Sequence, residues 1–375
     1  MGWWRIRISG VVACVALATG CVTGPPPTPA TWNDATGPAW SYNALPKELA
    51  VDVSPAGDTM RWGGSVGTVV GRGVDVAQNA SYRNRIQEAL GDYDSARLLE
   101  NKLNDRLSES AGDGLRRVAW LTSMAGHASR QAAEEAYYTQ MARSGVDLLL
   151  EVQSRHGVFG ADATVVTALR ASLYTLPGPR RVWREDIVVT PGPAYAFSTL
   201  GDPTRTSGLV PRLDLRFGVD SDRIDTLTAN GAALLKAELD ESREGAVAAL
   251  LVGMGLSDDP RGHYILGRVA MTGRNFDDAI ERFERAIEVD PAYIDASSAR
   301  AVAMAHRGEL NEAIALMEAL VEEHAEFAPG HANLAWWHAT ETGDLAAARR
   351  HLELAPADPA VRALLREVIA KAEGN

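Results

Sequence analysis

Residues 264–291 read YILGRVAMTGRNFDDAIERFERAIEVDP, and this stretch decides how the second half of the 375-residue chain folds. Its apolar residues recur with the period of a helix on either side of a short turn, which predicts two antiparallel helices. Ala279 must be small because the two helices cross there, and Phe283 fills the space one turn later. The pattern comprises Leu266, Gly267, Gly273, Phe276, Ala279, Phe283, Ala286 and Pro291.

The pattern recurs with a period of roughly 34 residues, which indicates stacked helical hairpins. The second unit contains Gly308, Leu310, Ala313, Met317 and Leu320, and the third contains Leu334, Ala335, Gly343, Leu345, Ala347 or Ala348, and Leu352. In the third unit, 341–343 shifts the turn. These units resemble tetratricopeptide repeats, which implies an all-α solenoid over 259–375. Residues 361–372 are expected to form a capping helix that covers the last repeat.

The resemblance implies a concave face built from the first helix of each hairpin. In this register, the face would present Tyr264, Arg268, Ser298 and Trp336 to an extended or helical peptide. Ordinary packing is the alternative, and Trp336 and Trp337 cannot both face the same way. The basic and Asn residues with which some of these domains clamp a peptide carboxylate are not matched.

Residues 61–258 predict an α/β or α+β domain followed by a connecting helix. The expected elements are a helix over 81–110 broken at 91–92, a strand over 115–122, a helix over 129–143, strands over 146–153, 164–176 and 182–189, a loop over 190–222 with an edge strand at 213–219, and a helix over 224–251. His156-Gly157 and Pro177-Gly178-Pro179 are predicted to separate the three strands. The glycine-rich residues 63–73 predict a close-packed segment or an interfacial turn.

The order of elements over 81–189, with the string GVDLLLEV at 145–152, weakly resembles the α/β domain of envelope lipoproteins. The families concerned are the penicillin-binding-protein activators, the curli secretion lipoprotein and the N-terminal domain of TolB. Since those families work by protein contact, the resemblance implies the same for this domain and carries over no site residue.

Residues 1–20 have the form of a secretory signal, with Arg5 and Arg7 before a core of about eleven apolar residues. Leu17-Ala-Thr-Gly-Cys21 resembles the lipobox of bacterial lipoproteins, which implies that Cys21 is diacylated and anchors the protein. In lipoproteins of Gram-negative bacteria, the residue after the acylated Cys helps to sort the protein between membranes. Here that residue is Val22 and not Asp, which by the family rule implies location in the outer membrane. An ordinary signal peptide cleaved elsewhere is the alternative. Residues 21–60 are predicted to be a tether, extended and Pro-rich over 24–36.

The composition limits the partners that the protein can have. The net charge is −12, and it becomes −14 when residues 1–20, which contain two Arg and no acid, are removed. Such acidity excludes a nucleic-acid role based on clustered Lys and Arg. Cys14 would leave with the signal and Cys21 would be acylated, so we expect no disulfide.

The sequence contains no convincing pattern of catalytic or cofactor-binding residues. His331 and His338 share a helix face, but zinc would need further ligands at defined spacing, and we expect solvated surface histidines. No metal, cofactor or catalytic residue is therefore predicted. The main hypothesis is a non-enzymatic envelope lipoprotein that organises other proteins through its repeats. The alternatives are an envelope hydrolase with its active site in the middle domain, and a subunit of a secretion pore.

Overall fold

The computed structural model describes residues 25–44, 48–53, 79–111, 114–121, 129–160, 163–196, 221–357 and 359–374. Its first part is built around a mixed β-sheet and its second part is all helical. The strands are β1 (Pro38–Ala44), β2 (Ala50–Asp52), β3 (Arg116–Arg117), β4 (Leu148–Phe159), β5 (Thr164–Thr175) and β6 (Arg180–Val189).

The sheet has the order β3-β1-β4-β5-β6, with β2 also paired to β4. The predicted meander is confirmed, because β4, β5 and β6 are antiparallel neighbours. β1 and β2 run parallel to β4 and pair with its successive halves. Gly37 and Gly157 permit the close approaches at these pairings, since a Cβ on Gly157 would lie 2.0 Å from the carbonyl oxygen of Ala50.

Helices cover both faces of the sheet. The first part contains α1 (Pro29–Asn33), α2 (79–90), α3 (Ser95–Ala111), α4 (Arg130–Arg143) and α5 (Ser221–Gly253). α4 packs Tyr137 and Met141 on one face of the sheet, and Leu99 and Leu103 of α3 belong to the core on the other face. The predicted break of the long helical segment is confirmed at Gly91, where φ is +58°.

The helical part consists of three hairpins and a final helix. The hairpins are α6 (Pro260–Thr272) with α7 (Phe276–Val289), α8 (Ile294–Arg307) with α9 (Leu310–Glu323), and α10 (Ala328–Trp337) with α11 (Leu345–Leu354); α12 is Pro359–Glu373. Asp259 caps α6 by accepting a hydrogen bond from the Arg261 amide at 2.9 Å. The shifted turn of the third unit is a π-helical turn over His338–Thr342, which ends at Gly343.

One continuous hydrophobic core joins the sheet to the repeats. It runs from Trp40 and Trp183 through Leu250 of α5 to Phe283 and Met317 of the hairpins. α5 therefore packs on the sheet and also leads into the repeats. It is broken at 230–232, where φ is positive, rather than being one regular helix as predicted.

Part of the predicted tether is folded. The prediction of an unfolded extended segment over 24–36 is wrong at α1, which places Trp32 in the core; its indole Nε1 donates a hydrogen bond to the Met254 carbonyl at 3.0 Å. β1 and β2 belong to the sheet, so strands of the first domain precede residue 61. The short Pro-rich sequence gave no sign of these contacts, which join residues far apart in the chain.

Two strand boundaries also differ from the prediction. His156-Gly157 does not end a strand, since β4 continues through both residues to Phe159. Of the described residues of the strand expected over 115–122, only the two of β3 form a strand, and the Val118 amide after them also donates a hydrogen bond to the Trp40 carbonyl of β1 at 2.8 Å.

Four sequence predictions lie outside the described residues: the secretory signal over 1–20, the lipidated Cys21, the glycine-rich 63–73 and the edge strand at 213–219. Within the part of the chain that the structure describes, no helix combines the length and the apolar character needed to span a membrane.

Candidate functional site

The candidate site is the face of the repeats that carries Tyr264 and Arg268 of α6, Ser298 of α8, and Asn333 and Trp336 of α10. We call it the repeat groove. Arg268 and Trp336 are exposed to an intermediate degree, whereas Tyr264, Ser298 and Asn333 are buried. The first helices of the hairpins thus supply all five residues, of which Tyr264, Arg268, Ser298 and Trp336 were predicted from the repeat register and Asn333 was not.

A segment of the same chain lies in this groove. The segment covers residues 190–196, TPGPAYA, which leave the end of β6 without forming a helix or a strand. We call it the cis segment. It contacts α6 near its start and α10 near its end, so it crosses from the first hairpin to the third.

Arg268 holds the start of the cis segment. Its Nη1 donates hydrogen bonds to the carbonyl oxygens of Thr190 at 3.2 Å and Gly192 at 2.8 Å, and its Nη2 donates to Thr190 Oγ1 at 2.9 Å. The guanidinium lies over the ring of Tyr264, 5.6 Å from the ring centroid. Tyr264 therefore supports the side chain that contacts the segment, and the structure brings these two predicted residues together.

Asn333 holds the end of the cis segment by its main chain. Asn333 Oδ1 accepts a hydrogen bond from the Ala196 amide at 2.7 Å, and Nδ2 donates to the Ala194 carbonyl at 3.3 Å. Asn333 is fully buried. Sequence reasoning missed this residue, although it lies three positions before Trp336 and so on a neighbouring part of the same helix face.

Apolar contacts complete the groove. Ala194 and Ala196 pack against the main core, whereas Tyr195 packs against the separate cluster formed by α10, α11 and α12. Trp336 borders both clusters and Trp337 is buried, so one of the two Trp residues belongs to the core as expected. Ser298 does not touch the segment through its hydroxyl, which has no hydrogen-bond partner among the described residues.

The charges near Arg268 are acidic. Burial raises the pKa of the Asp295 carboxyl above its usual value, while the positive charge of Arg268 acts in the opposite direction. Burial also raises the pKa of the Tyr264 phenol. The guanidinium of Arg268 is directed at the carbonyl oxygens of Thr190 and Gly192.

Three histidines meet behind the groove. His331 Nδ1 and His351 Nδ1 are 2.9 Å apart, and the rings of His338 and His351 stack at a centroid distance of 5.8 Å. The expectation that His331 and His338 are solvated is wrong, because both are buried between α10 and its neighbours. Burial and the two nearby histidines lower the pKa of His351 to about 4. No group of three or more His, Cys, Asp or Glu positioned to hold a metal ion occurs in the described residues.

Two carboxyl groups on the sheet are shielded from water, since Glu185 is buried and Glu151 is half-buried. Burial raises the pKa of Glu151 and of Glu185 to about 7 in each case. A shallow surface cavity of about 600 Å³ lies on α4, lined by Ala132, Glu135, Ala136, Thr139, Gln140 and Arg143. The residues that line this cavity include neither Glu151 nor Glu185, so these carboxyl groups do not face it.

Comparisons with known proteins agree with the helical part of the fold. Residues 264–332 match the family model described as Tetratricopeptide repeat. These repeats point to interaction with other proteins. A search of curated proteins gives no match.

One solved structure is similar to part of the chain. It is a dodecamer of the PelC variant L103M from Paraburkholderia phytofirmans, aligned over 46% of this chain and 82% of that chain at 13% identity, with a TM-score of 0.21. A likeness at this TM-score carries no argument about function or assembly.

Proposed function

We propose that this protein is a non-enzymatic scaffold or assembly accessory of a bacterial cell envelope, which recruits other envelope proteins through its tetratricopeptide repeats. The proposal rests on the hydrogen bonds that Arg268 and Asn333 form with the main chain of the cis segment. A groove that holds one extended peptide by main-chain hydrogen bonds has the chemistry to hold another.

The location in the envelope is proposed from the sequence. Cys21 at the end of a lipobox would carry the lipid, and Val22 after it would direct the protein to the outer membrane with its body on the periplasmic side. The resemblance of 81–189 to domains of envelope lipoproteins that work by protein contact supports the same setting. The acidic charge of the mature chain fits protein partners better than nucleic acid.

The test is quantitative capture of crosslinked partners from intact cells. Removing the repeats altogether would expose the shared core, so point variants of the full chain are preferable. Arg268→Ala and Asn333→Ala each remove one end of the peptide grip. Glu322→Ala, on an exposed position of α9, is the matched control.

The proposal expects one set of partners to fall at least about fivefold in recovery with both groove variants and to stay unchanged with the control. All variants must be present at the wild-type level in the membrane fraction. Partner recovery that is the same for wild type and both groove variants would contradict a role for the groove. A loss that includes the control variant would assign recruitment to another surface.

A further inference from the structure

The cis segment occupies the groove that the proposed function assigns to partners. We propose that the cis segment is an exchangeable occupant, displaced by a partner peptide that is extended and carries the pattern proline, small residue, aromatic residue, small residue. This inference rests on the proposed function and adds the partner's chemistry and the means of regulation.

The contacts define what such a peptide must offer. Five hydrogen bonds join the cis segment to Arg268 and Asn333, and four of them use main-chain atoms of the segment. The exception is the Thr190 hydroxyl. Recognition therefore depends on main-chain atoms more than on particular side chains. Asn333 needs one amide N–H and, two residues earlier, one carbonyl, which excludes proline at the position of Ala196.

The side chains set the size limits. Ala194 and Ala196 pack against the core of the repeats, and Tyr195 fills the space beside the C-terminal cluster. Pro191 and Pro193 each restrict φ to about −65°, so less entropy is lost when the segment is bound. Gly192 between them has a φ of +92°, so the main chain bends there. A partner with the same features would fit without rearranging the groove.

Exchange is favoured over simple release. The amide of Asn333 is fully buried, and a buried donor and acceptor left unpaired are unfavourable. Emptying the groove is thus disfavoured, whereas another peptide that offers the same N–H and C=O pair can replace the segment. Because the cis segment is tethered, its effective concentration at the groove is on the order of millimolar. It therefore competes successfully with peptides that bind the groove weakly.

Fluorescence anisotropy with a labelled peptide tests the proposal. The probe is VVTPGPAYA, which copies residues 188–196, with a C-terminal amide, and the protein is the full chain in detergent. Ala196→Pro removes the amide N–H that donates a hydrogen bond to Asn333 Oδ1, and it changes no residue of the groove itself. Ala196→Gly retains that amide and is the matched control. Circular dichroism confirms that each variant is folded.

We expect the probe to bind the Ala196→Pro variant about tenfold more tightly than wild type or the Ala196→Gly variant, because loss of one buried hydrogen bond weakens the competing cis segment by about that factor. Adding Asn333→Ala to Ala196→Pro should weaken binding at least tenfold. Equal affinities of the Ala196→Pro and Ala196→Gly variants, or binding that is insensitive to Asn333→Ala, would overturn the proposal.

A second measurement does not depend on any variant being folded. On the wild-type protein, the probe VVTPGPAYP should bind at least tenfold more weakly than VVTPGPAYA, and equal binding would overturn the proposal. Dimerisation of the wild type without binding of the probe would assign the groove to a second copy and overturn it as well. If peptide exchange is observed while the groove variants recover all partners from cells, the proposed function fails and the exchange stands.

Discussion

Gly267→Ala probes the crossing of the two helices that shape the first hairpin. A Cβ at this position would lie 2.5 Å from Cε1, 2.8 Å from Cδ1 and 2.9 Å from Cζ of Phe283. The ring is completely buried, so it has little room to move away. Overpacking of this kind destabilises by about 1–3 kcal/mol, and the better helix propensity of Ala offsets about 1 kcal/mol of that amount. Because all three ring atoms would lie under 3.0 Å from the new Cβ, we expect a cost in the upper part of that range and a net loss of roughly 1–2 kcal/mol.

Gly273→Ala is the matched control. Its Cβ would be no closer than 3.4 Å to the Ala270 carbonyl oxygen, and its φ of −79° suits any residue. This variant should stay within about 0.5 kcal/mol of wild type, because a compatible Gly→Ala change mainly restricts the unfolded chain. Both free energies of unfolding are measured by urea denaturation of a chain that begins at residue 22, followed by circular dichroism.

A double variant identifies the cause. Phe283→Leu alone should destabilise by about 1–2 kcal/mol through lost burial, but combined with Gly267→Ala it removes the steric conflict. The double variant should therefore be more stable than the sum of the single effects by at least about 1 kcal/mol. Equal stability of the Gly267→Ala and Gly273→Ala variants, or additive effects in the double variant, would show that the Phe283 ring does not limit the size of residue 267.

Three further predictions concern titratable groups and the anchor. Burial lowers the pKa of His156 to about 4, so the free energy of unfolding should fall by up to about 3 kcal/mol as the pH drops from about 6.5 towards 4. The ring nitrogens of His156 have no hydrogen-bond partner among the described residues, so His156→Leu should remove most of this acid sensitivity. Urea titrations at several pH values measure both effects. Burial raises the pKa of Glu185 to about 7, so its charge opposes folding above that pH, and Glu185→Gln should raise the unfolding free energy by about 1–3 kcal/mol at pH 8 and much less at pH 4.5. Cys21→Ser should move the protein from the membrane fraction to the soluble fraction, and unchanged membrane association would contradict the anchor.

The repeats were predictable because each hairpin is specified locally. Small residues at the crossing, an apolar residue one turn later and a capping acid before proline occur within one period of the sequence. The β4–β5–β6 meander was also accessible, since turn residues separate alternating strands. In both cases, the contacting residues lie close together in the chain.

The missed features depend on contacts between distant residues. Gly157 resembles a strand break in the sequence, but it allows β2 to pass close to β4. Trp32 follows a Pro-rich stretch, yet its indole reaches the end of α5. Asn333 looked like an ordinary helix residue until the cis segment, more than 130 positions earlier, supplied its partners.

Hydrogen exchange of the wild-type protein measures whether the repeat groove binds a peptide through its main chain. We expect the Ala196 amide to be protected, Asn333→Ala to remove this protection, and the amides of α6 and α7 to stay protected in both proteins. Rapid exchange of the Ala196 amide in the wild type, or protection that survives Asn333→Ala, would show that Asn333 does not hold the cis segment.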